Sequence, residues 1–300
     1  MAAPTARYQN VFMDNARWDR VELREGDIVV STPAKCGTTW TQIICGLLVF
    51  GQPELPRPLD DLSIWVDASF RSEEDTLALL AAQGHRRFMK SHTPLDGLPR
   101  DERVTYISIG RDPRDVGISA DHHFANMDME KLMRLRANAL GPDTVDLEVT
   151  MTPPAPTRYE RFWNWVETDD NLIGLDAMLR HVEGFWERRD DPNVVLLHFD
   201  DLKTDLDGQM RALAATLGIT VNEAVWPELV RAATFDEVRG RAATLAPENT
   251  IWKDRAAFFN KGTTGQWKDL LDDADLERYR ARIAELTTPE IAAWLHRDGV

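Results

Sequence analysis

Four short apolar segments, each about as long as a β-strand, limit what this chain can fold into more than any other feature. They occupy residues 27–32, 86–90, 104–109 and 194–199. Segments with helical patterning alternate with them, at 38–50, from 113 onward, at 175–188 and at 206–217. Parallel strands need long crossover connections, which are usually helices, so this alternation predicts a central parallel sheet with helices on both faces. With no internal repeat and no clean boundary, the sequence predicts an α/β fold in a single domain, residues 1–300.

Local signals mark where some of these elements begin and which segments connect them. Asp112 is a good N-cap, and Pro113 suits the first helical position after the third strand. Two proline-rich stretches, 52–58 and 151–157, are predicted as surface loops. The second leads to W-N-W at 163–165, where we expect exposed or pocket-lining tryptophans.

The charge balance restricts the partners of the chain. Fifty acidic residues against 35 basic ones give a formal net charge of −15. Such a surface repels nucleic acid and anionic membranes, so we expect neither as a partner. An anionic ligand would need a local cationic site.

Membrane and redox signals point to the cytoplasm. No apolar run approaches the roughly 20 residues that cross a bilayer, and the first ten residues lack the basic and apolar regions of a signal peptide. The two cysteines, Cys36 and Cys45, cannot supply a disulfide framework or a structural zinc site. We therefore expect a reducing compartment and no membrane insertion.

The link between the first strand and the first helix has the features of an anion site. It contains Lys35 and Gly37, and Thr38 and Thr39 open the helix. Free backbone N–H groups and the positive helix end would converge there. The loop is not the usual nucleotide-triphosphate loop, because Lys35 precedes the glycine. The alternative interpretation makes Gly37 a turn residue, Thr38 an N-cap and Lys35 a solvated charge.

Five segments together resemble the cytosolic sulfotransferases. The segments read P-A-K-C-G-T-T-W at 33–40, K-S-H-T-P at 90–94, R-D-P-R-D-V-G-I-S at 111–119, F-D-D-L-K at 199–203 and N-K-G-T-T-G-Q-W at 260–267. They follow one another in the order and with the separations typical of that family. The resemblance implies a fold of the P-loop nucleotide-kinase type. It also implies a metal-independent enzyme that moves the sulfuryl group of 3′-phosphoadenosine-5′-phosphosulfate (PAPS) to an acceptor hydroxyl or amine, leaving the bisphosphate product (PAP).

The same resemblance implies three catalytic residues. Lys35 would meet the bridging oxygen, on which charge accumulates in a loose transition state. His92 would act as general base, a role that its intrinsic pKa near 6.5 allows at neutral pH. Lys90, two residues earlier, would assist. Taken alone, His92 would more often be a hydrogen-bonded loop residue, and Lys90 is nearly as well explained as part of a structural ion pair.

The remaining residues implied by the resemblance would hold the donor. The backbone amides from Cys36 through Gly37 and Thr38 to Thr39, with both threonine hydroxyls, would bind the 5′ phosphate. The 3′ phosphate would lie against Arg111 and Ser119, with Lys261 and Gly262 closing over it. The adenine would lie between Trp40 and Phe235, near Phe259 and after the small hydroxyl residue Thr234. Considered alone, Arg111 is better explained as an ion-pair partner of a neighbouring aspartate.

Three positions depart from the family pattern. Cys36 replaces a common serine, Phe199 a common tyrosine and Asn260 the usual arginine. The last change removes one cation and predicts weaker donor binding. We assign His122 and His123, on the helix that carries Ser119, to packing.

Two other functions stay open on the sequence alone. One is a nucleotide-kinase-like phosphotransferase that uses ATP and magnesium, and the other is a nucleotide-binding protein without turnover. The acceptor is also open among a phenol, a lipid alcohol and a carbohydrate hydroxyl. Segments near 52–70 and 139–165 are expected to form its pocket or lid. A family dimer segment is not matched between Lys268 and Glu277, so the oligomeric state is unspecified.

Overall fold

A four-stranded parallel sheet forms the centre of the computed structural model, which describes residues 2–141, 154–169, 173–245, 251–259, 262–297 and 299. The strands are β1 (Ile28–Ser31), β2 (Phe88–Ser91), β3 (Thr105–Gly110) and β4 (Val194–His198). Their order across the sheet is β2-β1-β3-β4. Ile28 of β1 pairs with Phe88 on one side and Thr105 on the other. The single parallel α/β domain that the alternation predicts is confirmed.

Helices connect the strands and cover both faces of the sheet. They are α1 (Thr38–Phe50), α2 (Leu59–Leu62), α3 (Glu73–Ala82), α4 (Pro113–Asn126), α5 (Met129–Leu140), α6 (Arg158–Glu167), α7 (Leu175–Trp186), α8 (Phe199–Thr204), α9 (Leu206–Thr216), α10 (Trp226–Ala233), α11 (Phe235–Gly240), α12 (Ala242–Leu245), α13 (Asp273–Leu286) and α14 (Pro289–His296). None of the helices in the described ranges is long and apolar enough to cross a membrane.

The central strands are buried on both faces, as is typical of parallel sheets. Ile28, Val29 and Val30 are all fully buried, and so are Ile107 and Ile109 of β3. Strands covered on both faces consist of continuous apolar runs instead of alternating ones, and β1 follows that rule. Because the strands run parallel, their carboxyl ends all reach the same edge. The segments after β1, β2 and β3 therefore meet there.

Helix boundaries follow local capping chemistry. α1 begins and ends where its apolar pattern predicts, and Gly51 ends it with a left-handed φ of 62°. Asp112 caps α4 by accepting a hydrogen bond from the Arg114 N–H, with Pro113 in the first turn, as predicted. The acidic start of α13 is a capping box between Asp272 and Asp275.

The structure corrects two local predictions. Phe199, expected to be the last residue of the fourth strand, instead begins α8, because the His198 side chain caps that helix by accepting from the Asp200 N–H. Trp163, expected to be exposed or pocket-lining, is 4% exposed and packs in the core. The loop at 52–58 is confirmed, and 154–157 precedes α6 as a loop, while 151–153 lie outside the described residues.

Candidate active site

Three clefts meet at Lys35, at the carboxyl edge of the sheet, and one of them, of about 600 Å³, is lined by His92, Trp165 and His181 among others. The other two contain most of the residues that the sequence singles out. The first, which we call the loop cleft, has a volume of about 570 Å³ and lies against the start of α1. Its lining is Lys35, Gly37, Thr38, Thr39, Trp40, Arg111, Ser119, Phe199, Phe235, Phe258, Phe259, Gly262 and Gln266. The second, the apolar cleft, has a volume of about 870 Å³. Most of its lining is aromatic or aliphatic, but it also contains Lys35, Lys90, His92 and His123.

The start of α1 faces the loop cleft with the features of an anion site. Gly37, the N-cap, has a φ of 125°, which favours glycine, and it offers no side-chain cap to the first turn. The N–H groups of that turn and the helix dipole therefore point toward the cleft. The Thr38 hydroxyl, expected to contact a phosphate, lies 2.5 Å from the Thr32 hydroxyl instead. The half-buried Thr39 lines both clefts.

Cys36 differs from its neighbours in this loop. Its side chain is fully buried in the core, and burial raises the pKa of the thiol to about 12. Its N–H donates to the Pro33 carbonyl at 3.4 Å, which closes the turn. The thiol therefore does not face the cleft, and the predicted amide donor at this position already has a partner.

Arg111 has the position expected of a buried phosphate ligand. Its guanidinium lies 4.3 Å from the Phe199 ring centre and donates to the Lys35 carbonyl at 3.2 Å and the Thr263 carbonyl at 3.3 Å. Its Nε is buried without a partner among the described residues. Ser119, in the second turn of α4, lines the same cleft. Because a buried unpaired donor is unfavourable, this geometry suits an anion.

The segment from Gly262 to Gln266 closes the loop cleft. Asp115 of α4 accepts from the Gly265 N–H at 2.7 Å and the Gln266 N–H at 2.8 Å. Lys203 donates to the Gly262 carbonyl at 2.7 Å. A Cβ on Gly262 would lie 2.0 Å from the Phe235 ring, and φ there is 63°, so this position requires glycine. Asn260 and Lys261 lie outside the described residues.

The aromatic residues do not form the expected sandwich. The rings of Trp40 and Phe235 are 5.6 Å apart at 79°, in direct edge-to-face contact that leaves no space for a base between them. Trp40 Nε1 also donates to the Ala233 carbonyl at 2.7 Å, which keeps this ring in the wall. Phe259 meets Phe235 at 6.4 Å. Thr234 does not line the cleft, because its hydroxyl donates back to the Arg231 carbonyl at 2.8 Å.

His92 is oriented by one backbone contact. Its Nδ1 lies 2.8 Å from the Thr32 carbonyl, which can only accept, so Nδ1 carries the proton and Nε2 has a free lone pair. Burial, followed by the nearby charge of Lys90, holds the pKa of His92 well below its usual 6.5. The ring is therefore neutral at pH 7. It also meets the Trp65 ring edge to face at 5.0 Å.

Two half-buried lysines lie near this histidine. Burial, then repulsion from Arg111 and Lys90, lowers the pKa of Lys35 to about 7. Lys35 Nζ lies 3.0 Å from Nδ1 of His123, and its backbone φ of 70° is left-handed. Burial lowers the pKa of Lys90 to about 8, and its Nζ lies 4.0 Å from the centre of the Trp65 ring.

Sequence reasoning missed several residues of the site. His123, assigned to packing, does pack against Trp252 at 4.7 Å, but it also contacts Lys35. Its position one helical turn after Ser119 places both on one face of α4, which is the signal that could have found it. Trp65 and Phe70, within the predicted acceptor segment 52–70, line the apolar cleft. In the described parts of the chain, no group of three His, Cys, Asp or Glu side chains is placed to hold a metal ion.

Comparison with known proteins identifies the family. Residues 25–289 match the family described as "Sulfotransferase domain". The chain is 40% identical to a "Glycolipid sulfotransferase" of Mycobacterium bovis, over 96% of this chain and 93% of the relative. An "Amine sulfotransferase" of Oryctolagus cuniculus is 26% identical, over 87% of this chain and 80% of that protein.

Solved structures share the fold. Mouse sulfotransferase SULT7A1 complexed with PAP superposes with a TM-score of 0.73 at 19% identity, covering 98% of this chain and 97% of that one. Retinol dehydratase in complex with androsterone and PAP gives a TM-score of 0.67 at 23% identity, covering 90% and 84%. The matched domain and the relative at 40% identity show that this chain is an enzyme of the sulfotransferase family.

Proposed function

We propose that this enzyme transfers the sulfuryl group of PAPS to a hydroxyl of an acceptor with a large apolar part. One observation carries the proposal: Lys35, a half-buried lysine, lines both the loop cleft and the apolar cleft. Anion-binding groups lie on one side of it, and the neutral His92 lies on the other. A donor in the loop cleft and an acceptor in the apolar cleft would therefore meet at Lys35.

The loop cleft suits a donor with phosphates at both ends. The start of α1 offers N–H groups and a positive dipole to the 5′ phosphosulfate, and Arg111 offers its unpaired Nε to the 3′ phosphate. Ser119 would contact the same phosphate. PAP in solved structures of the same fold supports this assignment. The adenine would lie against the edge-to-face wall of Trp40, Phe235 and Phe259.

The chain's own residues would perform the transfer as follows. His92 Nε2 accepts the proton of the acceptor hydroxyl while that oxygen forms its bond to sulfur. The bond between sulfur and the bridging oxygen breaks, and the Lys35 ammonium stabilises the charge that develops on the leaving oxygen. Lys90 adds a second positive charge beside the reacting groups.

The apolar cleft favours a lipid alcohol among the three acceptor classes. Its walls include Phe12, Met13, Met127, Trp252 and Phe258, together with Lys35, Lys90 and His92. Such a shape binds an apolar chain and leaves the hydroxyl next to His92. The name of the Mycobacterium bovis relative supports a glycolipid, which combines sugar hydroxyls with apolar chains.

A direct test uses radiolabelled PAPS with octyl glucoside and methyl glucoside as acceptors. Each buried methylene contributes about 0.8 kcal/mol, so kcat/KM should be at least ~100-fold higher for the octyl compound. Phosphoryl transfer from magnesium ATP, tested in parallel, should be absent. Transfer from ATP instead of PAPS would identify a phosphotransferase, and PAP binding without transfer to any acceptor would identify a protein without turnover.

The predicted catalytic residues are tested by Lys35→Ala and His92→Ala. Each should lower kcat by about 10²–10⁴-fold, because one removes the charge at the leaving oxygen and the other removes the base. His85→Ala is the matched control, since this half-buried histidine precedes β2 at the opposite end of the strand from His92. Near-normal turnover in either variant would remove that residue from the mechanism.

The cytoplasm stays the predicted location of the enzyme.

A further inference from the structure

Asp67 is a fully buried carboxylate that lies behind the apolar cleft and outside its lining. Four side chains donate to it. Its Oδ1 accepts from Trp65 Nε1 at 2.6 Å. Its Oδ2 accepts from Trp18 Nε1 at 3.0 Å, the Ser91 hydroxyl at 2.5 Å and the Thr93 hydroxyl at 2.7 Å. Burial raises the pKa of Asp67, while the four donors, two of which are indole N–H groups that can only donate, favour the ionised form.

The two oxygens of Asp67 have different tasks. The hydrogen bonds to Oδ2 connect the segment that contains Asp67 to Ser91 of β2 and to Trp18, so Oδ2 has a structural role. Among the described residues Oδ1 has a single partner, Trp65 Nε1, and that bond fixes the rotation of the indole ring.

The indole ring that Oδ1 orients contacts both groups predicted to act on the acceptor side. Lys90 Nζ lies 4.0 Å from the centre of the Trp65 ring. The His92 ring meets the same indole edge to face, at 5.0 Å and 84°. Backbone bonds also join the two segments, because the Lys90 N–H donates to the Ile64 carbonyl at 2.8 Å and the Val66 N–H donates to the Lys90 carbonyl at 3.1 Å.

We propose that Asp67 is a positioning residue for sulfuryl transfer, which acts through Trp65 to hold His92 and Lys90 in their working orientation. The inference rests on the proposed function. A carboxylate that accepts the indole N–H also makes the ring face more negative, which strengthens its contact with the Lys90 cation. Loss of this bond frees the indole to rotate, and His92 then loses one wall of its pocket.

Asp67→Asn separates the two tasks. The amide oxygen takes the Oδ2 position, because the opposite orientation would aim its N–H₂ group at three donors. That N–H₂ group then faces Trp65 Nε1, which loses its acceptor. We expect kcat to fall by about 10–100-fold, since buried charge-assisted hydrogen bonds contribute about 1.5–3 kcal/mol. The dissociation constant of PAP, measured by calorimetry, should change less than twofold, because Asp67 does not line the loop cleft.

A double-mutant cycle tests whether the effect passes through the indole. Trp65→Phe keeps an aromatic ring and removes the N–H donor. If Asp67 acts through Trp65, Asp67→Asn should lower kcat less than twofold further in the Trp65→Phe background. An equal fall in both backgrounds, or full kcat in either single variant, overturns the proposal. If Asp67→Asn does not fold, Trp65→Phe tests the proposal by itself, because it leaves the Oδ2 bonds in place.

Two further measurements complete the experiment. Asp101→Asn is the control for amide substitution of a buried carboxylate, since Asp101 accepts from Arg103 before β3, away from the carboxyl edge. It should leave kcat unchanged. The imidazole NMR signals of His92 should shift in Asp67→Asn and not in Asp101→Asn. This signal needs no turnover, so unshifted signals contradict the positioning role, while shifted signals without any transfer by the native enzyme contradict only the proposed function.

Discussion

The surroundings of Lys35 strongly lower the pKa of its side chain. An exposed lysine is a cation at every physiological pH, but this one is half-buried near Arg111 and Lys90, and its pKa falls to about 7. His123 accepts a hydrogen bond from the protonated amine. An anionic donor would offset the repulsion among these cations, so we expect its binding to raise the pKa of Lys35.

The pH dependence of kcat/KM follows from the lowered pKa values of His92 and Lys35. The proposed mechanism needs neutral His92 and protonated Lys35. The pKa of His92 is lowered, so kcat/KM should hold until well below pH 6.5 and then fall as the ring gains a proton. The pKa of Lys35 is also lowered, so kcat/KM for PAPS should fall as pH rises through about 7. A profile of kcat/KM that extends from well below pH 6.5 to about pH 9 measures both limbs.

The pH profile of kcat, which reports the enzyme with its donor bound, is the control for the kcat/KM profile. With donor bound, the alkaline limb of kcat should appear at higher pH than that of kcat/KM. Coincident alkaline limbs in the two profiles would contradict the assignment to Lys35.

Arg111 supports a prediction about ligand selectivity. Arg111→Ala should weaken PAP binding by about 10–100-fold, because a buried charge-assisted contact to the 3′ phosphate is lost. Binding of AMP, which lacks that phosphate, should change less than threefold. Calorimetry with both nucleotides gives the ratio, and equal losses for the two would assign Arg111 elsewhere.

At the scale of elements, the site depends on where chain segments end and what ties them together. α1 begins after an uncapped glycine at the loop cleft, and Arg111, which lines the same cleft, directly precedes Asp112, the N-cap of α4. The segment 262–269 consists of a short loop followed by a 3₁₀ helix, Gln266–Asp269, and Asp115 and Lys203 hold it in place. Such a segment is sensitive to small changes in backbone geometry.

Two glycines of this segment form a matched pair for testing that sensitivity. Gly262 and Gly265 both have left-handed φ angles, but a Cβ would lie 2.0 Å from Phe235 at the first and 3.6 Å from Lys268 at the second. Gly262→Ala should therefore weaken PAP binding by at least ~10-fold, and Gly265→Ala should show only the ~1–2 kcal/mol of left-handed strain in thermal unfolding. Equal PAP affinities in the two variants would mean that the close approach of Gly262 to the Phe235 ring is not needed for PAP binding.

At the scale of the whole molecule, the site is a small group of cations within an acidic protein. The net charge of −15 disfavours anions over most of the surface, while Lys35, Arg111 and Lys90 repel one another inside. An anion that binds between α1, α4 and 262–269 links three parts of the chain and relieves that repulsion. Ligand binding should therefore stabilise the fold globally.

Thermal unfolding measures this linkage. At a PAP concentration 100 times its dissociation constant, the gain is about 2.7 kcal/mol, or a rise in Tm of several degrees. AMP at the same concentration should raise Tm less, because it reaches only one of the two phosphate sites. A PAP-induced rise no larger than that with AMP would contradict a cleft that binds both ends of the donor.

Local chemistry made much of the fold and part of the site predictable. The apolar run of α1 and the cap at Asp112 are predicted correctly because they depend on neighbours within one or two turns. The prediction for Phe199 is wrong because a side chain at a strand end, His198, starts the next helix. The edge-to-face contact of Trp40 with Phe235 could not be predicted, since these rings are far apart in the chain and meet because α10, which precedes Phe235, packs on α1.

The sequence by itself determined which chemical groups stand at the strand ends and at the start of α1, because those positions follow from short-range patterns and from motif spacing. Only the tertiary structure decided how they are used. Lys35 reaches His123 across 88 positions, and His92 reaches the Thr32 carbonyl across 60. Such contacts, like the buried bond from Trp18 to Asp67 across 49 positions, arise from burial and packing between distant segments, which leave no periodic trace in the chain.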